Sequence, residues 1–102
     1  MYMVRKNLIT KNTVYLDLMD DYGRRLTIYP KSKTIHDSET KIIKKYKTLK
    51  EINANLNELE IEPDRIRGLI HEIDSGIKWA SHVYKTKHGF MLTKPFPIQK
   101  LK

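Results

Sequence analysis

Cysteine is absent from this chain of 102 residues. Disulfides and thiolate metal sites are therefore excluded, and the composition suits a reducing compartment. Long apolar runs are also missing. No stretch approaches the roughly 18 apolar residues of a membrane span. The opening MYMVRKNLIT lacks the apolar core of a secretory signal. Glycine occurs only four times, at Gly23, Gly68, Gly76 and Gly89, and no phosphate-cradling or dinucleotide-binding spacing is formed. Internal repeats and low-complexity segments are lacking as well. These absences predict one small cytoplasmic domain spanning 1–102, with no membrane contact and a frayed, proline-bearing tail over 95–102.

Basic charge is abundant. Lys and Arg total 20 against 12 Asp and Glu, a net charge of +8. The distribution is uneven. Residues 1–47 balance at +6, residues 48–76 at −4, and residues 77–102 at +6 with no acidic side chain. Two basic segments thus flank an acidic middle. Such a chain favours an anionic partner, DNA or RNA first among them.

Several elements are marked locally. Thr13–Met19 alternates, with Val14, Leu16 and Leu18 on one side and Tyr15, Asp17 and Met19 on the other. Asp20–Gly23 forms a turn, and Arg24–Tyr29 alternates again until Pro30 stops it, so an N-terminal β-hairpin is expected. Residues 31–40 are polar and expected as loop. Residues 41–47, KIIKKYK, can supply a further strand.

Thr48 and Glu51 have the spacing of a capping box. Leu49, Ile52, Leu56 and Leu59 follow at helical intervals, which predicts a helix at about 49–60. Pro63 suits the first turn of a second helix, and Ile66, Leu69, Ile70 and Ile73 form one stripe. A second helix is expected at about 63–75, ended by Gly76. Ile77–Lys85 and Phe90–Thr93 then read as a C-terminal β-hairpin. The expected fold class is α+β, with an N-terminal hairpin, two short central helices and a C-terminal hairpin.

Chemistry-bearing constellations are sparse. His71-Glu72 lacks the second histidine of a zinc-protease motif. His36, His82 and His88 fall in no metal-ligand spacing, and no serine occupies a glycine-rich elbow. Asp20 or Asp21 with Glu39 and Lys41 has the residue types of a nuclease metal site, but at turn and loop positions that hold a metal poorly. No enzyme activity, cofactor or metal is expected.

The segments Lys45-Tyr46-Lys47-Thr48-Leu49-Lys50-Glu51 and Ile66-Arg67-Gly68-Leu69-Ile70, with the closing Gly89-Phe90, resemble a known family. It is that of the modular helix-turn-helix domains attached to homing endonucleases, the NUMOD type. The resemblance covers about residues 41–92. It implies a strand ending in an aromatic residue, a capped first helix, a second helix that reads DNA, and a glycine-aromatic closing strand. Arg65, Arg67, Gly68, His71 and Glu72 would face outward on that second helix. Arginine is the usual reader of guanine edges. No nuclease motif accompanies the segments, so the resemblance implies DNA binding without catalysis.

The expected function is therefore a small basic nucleic-acid-binding protein, a regulatory or accessory factor. The candidate contacts are Lys44, Lys45, Tyr46 and Lys47 before the helices, Arg65 and Arg67 on the second helix, and Lys85 and Lys87 after it. Tyr46, Trp79, Tyr84 and Phe90 are candidates for base stacking. The alternative is a protein-interaction module, such as a small phage-type inhibitor of a host or defence protein. Its basic segments would grip an acidic partner, or a spare strand edge would support a homo-oligomer.

Overall fold

The computed structural model describes residues 3–58, 66–86 and 89–98. Among them the element order is β1 (Met3–Arg5), β2 (Thr13–Asp20), β3 (Arg25–Tyr29), β4 (Thr34–Asp37), β5 (Ile43–Lys45), α1 (Leu49–Asn57), β6 (Ile66–Asp74), β7 (Ile77–Thr86), β8 (Gly89–Leu92) and β9 (Phe96–Pro97). All the strands join one antiparallel sheet, ordered β1-β8-β7-β6-β2-β3-β4-β5, with β9 also paired to β7. No described helix is long and apolar enough to cross a membrane.

This architecture corrects the expected α+β fold with two central helices. Thr48 does cap a helix, its hydroxyl accepting a bond from the Glu51 backbone N–H at 3.2 Å. The second helix, expected at 63–75, is not formed over its described residues: Ile66–Asp74 is the strand β6, near the centre of the sheet, while Pro63 and its neighbours to Arg65 lie outside the described residues. The stripe misleads because four is an even number. Ile66 and Ile70 lie on one face of a helix, but equally on one face of a strand, and Leu69 and Ile73 then share the other face. The segment is rich in β-branched isoleucine and holds a mid-element glycine, which suits a strand in close packing.

Gly68 is required by close approach. An added Cβ there would stand 1.9 Å from the Asp17 carbonyl oxygen on β2. Gly76 does take positive φ, but as half of a turn and not as a helix cap. Ser75 and Gly76 have φ of 52° and 78°, the mirror-image geometry that closes a two-residue hairpin between β6 and β7. The two hairpins expected at the chain's ends are sections of the one continuous sheet. Within the polar stretch 31–40, Thr34–Asp37 is strand β4, pairing with β3 and β5.

Alternation assigns each strand residue to one of two faces. Leu16 and Leu18, Ile28, Ile35, Ile66 and Ile70, Val83, and Leu92 and Phe90 point to the same side and are buried. Ile52 and Leu56 of α1 and Leu8 and Ile9 of the N-terminal segment complete this core. Fully burying each such side chain contributes about 1.5–3 kcal/mol.

The segment 6–10 pairs with no strand, so its backbone polar groups need other partners. Asn53 supplies them: its side-chain oxygen accepts from Ile9 N–H at 2.8 Å and its amide donates to Ile9 C=O at 2.9 Å. One turn later, Asn57 donates to Lys6 C=O at 2.8 Å. The helix thus holds the N-terminal segment over the core.

The tail residues Phe96–Pro97 lie against the first half of β7, while β8 flanks its second half. Thr93 bridges the break, exchanging bonds with His82 through its own N–H and hydroxyl, each at 3.0 Å.

Candidate nucleic-acid interface

The second face of the sheet carries no described helix. Register places Arg25, Met19, Arg67, Tyr84, Met91 and Val4 in one row across β3, β2, β6, β7, β8 and β1. The next row contains Thr27, Asp17, Leu69 and His82. A third contains Tyr15, His71, Ala80 and Phe96. Tyr29, His36 and Lys45 extend the face toward β5, and Lys78 stands beside Ile73 at the other end. Six large hydrophobics that remain exposed in the chain belong here: Val4, Met19, Tyr29, Ile43, Ile73 and Phe96.

Ring contacts organise this face. Tyr15 and His71 are stacked with centroids 4.1 Å apart. Tyr29 meets His36 edge-on at 4.9 Å, and His82 lies 5.9 Å from Phe96. Desolvation by burial lowers the His71 pKa below its ordinary value, with the nearby Asp17 carboxylate opposing the shift. Neutral imidazole is therefore the favoured form within the stack.

The electrostatics are one-sided. Arg25, Lys45, Arg67 and Lys78 stand on this face, and Asp17 is its one carboxylate among the described strand residues. Asp17 lies 3.3 Å from the Arg25 guanidinium. Arg67 is exposed and has no carboxylate partner among the described residues. A shallow depression of about 430 Å³ opens among Met19, Arg25, Arg67, Leu69, His82 and Tyr84.

The residues singled out from the sequence are dispersed. Arg67 and Tyr84 are cross-strand partners on the open face. Lys45 joins that face at the β5 edge, whereas Lys44 points to the other side. Lys44 and Tyr46 line a separate cavity of about 260 Å³ near Arg24 and Asp37. Tyr46 packs against the core, and burial together with Glu51 raises its hydroxyl pKa. Lys47 is exposed before α1.

Lys85 is only 7% exposed; its ammonium reaches the Thr86 C=O at 3.3 Å and lies 5.1 Å from the centre of the Phe90 ring. Arg65 and Lys87 lie outside the described residues, as does His88. Of the stacking candidates, Phe90 is fully buried and Trp79 sits half-buried on the core side beside Glu72 and Asn12. Tyr84 alone among the four occupies the open face.

Sequence reasoning missed Tyr15, Tyr29, Arg25, His71 and His82 as one surface. A signal existed in β2, where Tyr15, Asp17 and Met19 alternate against the leucines. For His71 it was hidden by the helical reading of Ile66–Asp74.

The nuclease-like residues are otherwise engaged. Asp20 accepts bonds from the backbone N–H groups of Tyr22 and Arg24, at 2.9 and 3.0 Å, bracing the β2–β3 turn. Glu39 lies 3.7 Å from Arg24. Among the described residues no cluster of three or more His, Asp or Glu side chains could hold a metal ion. No family model, curated protein or solved structure matches the chain.

Proposed function

We propose that the protein binds nucleic acid through the open face of its sheet, as a non-catalytic factor. The carrying observation is the company Arg67 keeps. It stands exposed beside Tyr84, with Arg25 in the same row and Lys45 and Lys78 at the ends of the face, against one carboxylate, Asp17, among the described strand residues. Arginine and lysine on one face supply phosphate contacts, which dominate non-specific affinity. The net charge of +8 reinforces attraction at long range. This reading gathers the contacts on the sheet face and away from α1, which carries Glu51 and is followed by Glu58.

The test is fluorescence anisotropy with labelled oligonucleotides at low and near-physiological salt. Affinity should fall steeply as salt rises. Arg67→Glu should weaken binding and reduce the salt slope by about one unit, whereas Lys47→Glu, off the face, should change little. Absence of binding to DNA and RNA at low salt would end this reading.

A protein partner is the second reading, favoured by one observation: Val4, Ile43, Ile73 and Phe96 are exposed on the same face. Apolar groups gathered on one surface mark protein contacts as well. A salt-insensitive interaction, retained by Arg67→Glu but lost on Ile73→Lys, would identify it.

A further inference from the structure

The open face presents rings where a nucleic-acid strand would place its bases. Tyr84 and His82 are successive outward residues of β7, about 6.8 Å apart along the strand. Phe96 lies 5.9 Å from His82 and continues the series of rings. Arg67 stands beside Tyr84 on β6, and Lys78 occupies the opposite end of β7 on the same face. A track of roughly 20 Å therefore runs along β7 with a cation at each end and aromatic surface between. The depression at Tyr84, His82 and Leu69 lies on this track, with Arg67 and Arg25 at its rim.

We infer that the ligand of this face is a single-stranded nucleic acid, its bases lying on Tyr84 and His82 and its phosphates held by Arg67 and Arg25. This rests on the nucleic-acid reading given above and narrows it. In an undistorted duplex the flat sides of the bases are stacked on one another, so a protein ring reaches them only where a base step is unstacked. A helix or a two-stranded ribbon reads a duplex by entering its major groove. The rings here lie on a sheet face many strands wide, and seating such a face in a groove requires the duplex to be bent and opened at a cost in free energy. The one described helix shows solvent Lys50, Glu51, Ala54, Asn55 and Asn57, with Glu58 at its C-cap, a mixed-charge surface. An undeformed duplex therefore meets only the cations, whereas a single strand meets cations and rings together without that cost.

The experiment compares four labelled probes of one length against the full chain at about 0.1 M salt: single-stranded RNA, single-stranded DNA, duplex DNA, and an abasic single strand that keeps the phosphates. The expected result is binding to at least one of the two base-bearing single strands at least about tenfold tighter than to duplex or abasic probe. Tyr84→Ala should remove about tenfold of that affinity and Tyr84→Phe should restore it, because the ring and not the hydroxyl does the stacking. The comparison of probes needs no variant, so it stands even if a substitution disturbs folding.

Equal binding of duplex, abasic and single-stranded probes, with Tyr84→Ala silent, would overturn the inference while leaving phosphate-driven binding in place. Failure of all four probes at low salt would overturn the nucleic-acid reading itself.

Discussion

The two faces of the sheet share every backbone hydrogen bond and differ in everything else. On the covered face, Leu16, Leu18, Ile28, Ile70 and Val83 are sealed beneath α1 and the N-terminal segment. On the open face, the alternate residues of the same strands are Tyr15, Asp17, Thr27, Leu69, His71 and His82. The covered face is mainly aliphatic around the buried Phe90 ring, so it supplies stability. The open face mixes aromatic rings and cations with exposed aliphatic side chains such as Ile43 and Ile73, a composition that suits recognition. One strand therefore serves two purposes by parity alone.

The sharpest break should come on the covered face. Phe90→Ala is expected to cost about 3–5 kcal/mol, since it empties a fully buried ring site. Denaturant unfolding would measure it, with nucleic-acid binding lost only as the fold is lost. Gly68→Ala should cost about 3 kcal/mol through the opposite fault, because its Cβ would collide with the Asp17 carbonyl and force β2 and β6 apart.

Asn53→Ala is expected to cost about 2 kcal/mol. It leaves the N–H and C=O of Ile9 without partners beneath the N-terminal segment. Hydrogen exchange should show the loss concentrated at residues 6–10. Tyr84→Ala, by contrast, should change stability by no more than about 1 kcal/mol while weakening binding.

Acid offers a finer comparison between the faces. Asp37, on the covered-face side, accepts a two-nitrogen bond from Arg24, with its Oδ2 3.2 Å from Arg24 Nε. It also accepts from the Glu39 N–H at 2.9 Å. The Arg24 bond is the chief cause that holds its pKa below 3.8. Its stabilisation is present above the unfolded carboxylate pKa and is lost as pH falls through the lower folded value.

His71, on the open face, also has a depressed pKa, here because burial disfavours the charged ring. The unfolded chain takes up that proton first, near pH 6.5, so stability should begin to fall below that point and continue until the folded imidazole is protonated. Thermal melts from pH 8 down to pH 3 should show the His71 slope first and the Asp37 loss last. His71→Phe should flatten the upper part alone.

Much of the fold was legible locally. Alternation in Thr13–Met19 and Arg24–Tyr29 announced β2 and β3, and Thr48 with Glu51 announced the start of α1. Ile66–Asp74 was not legible, because its hydrophobic spacing satisfies a helix and a strand alike. Only the β2 edge, waiting for a partner, and the two-residue turn at Ser75-Gly76 decide for the strand. Lys85 shows the same limit in the candidate site. It looked like a surface cation, but the parity of β7 turns it inward beside Phe90. Arg67 was picked from the sequence on a helical argument, and it is exposed for a different reason: it faces outward from a strand.

The sequence alone determined the chemical inventory: a cysteine-free chain with excess basic charge, two clearly alternating strands and one capped helix. Each of these depends on a residue and its near neighbours, within the reach of backbone sterics and local hydrogen bonds. Tertiary structure decided which cations and rings meet. Arg67 and Tyr84 are seventeen positions apart in the chain, and His71 and Tyr15 much farther. Only strand register brings such residues within a few ångströms. Register is set by burying the aliphatic face as a whole, and no single segment contains that information.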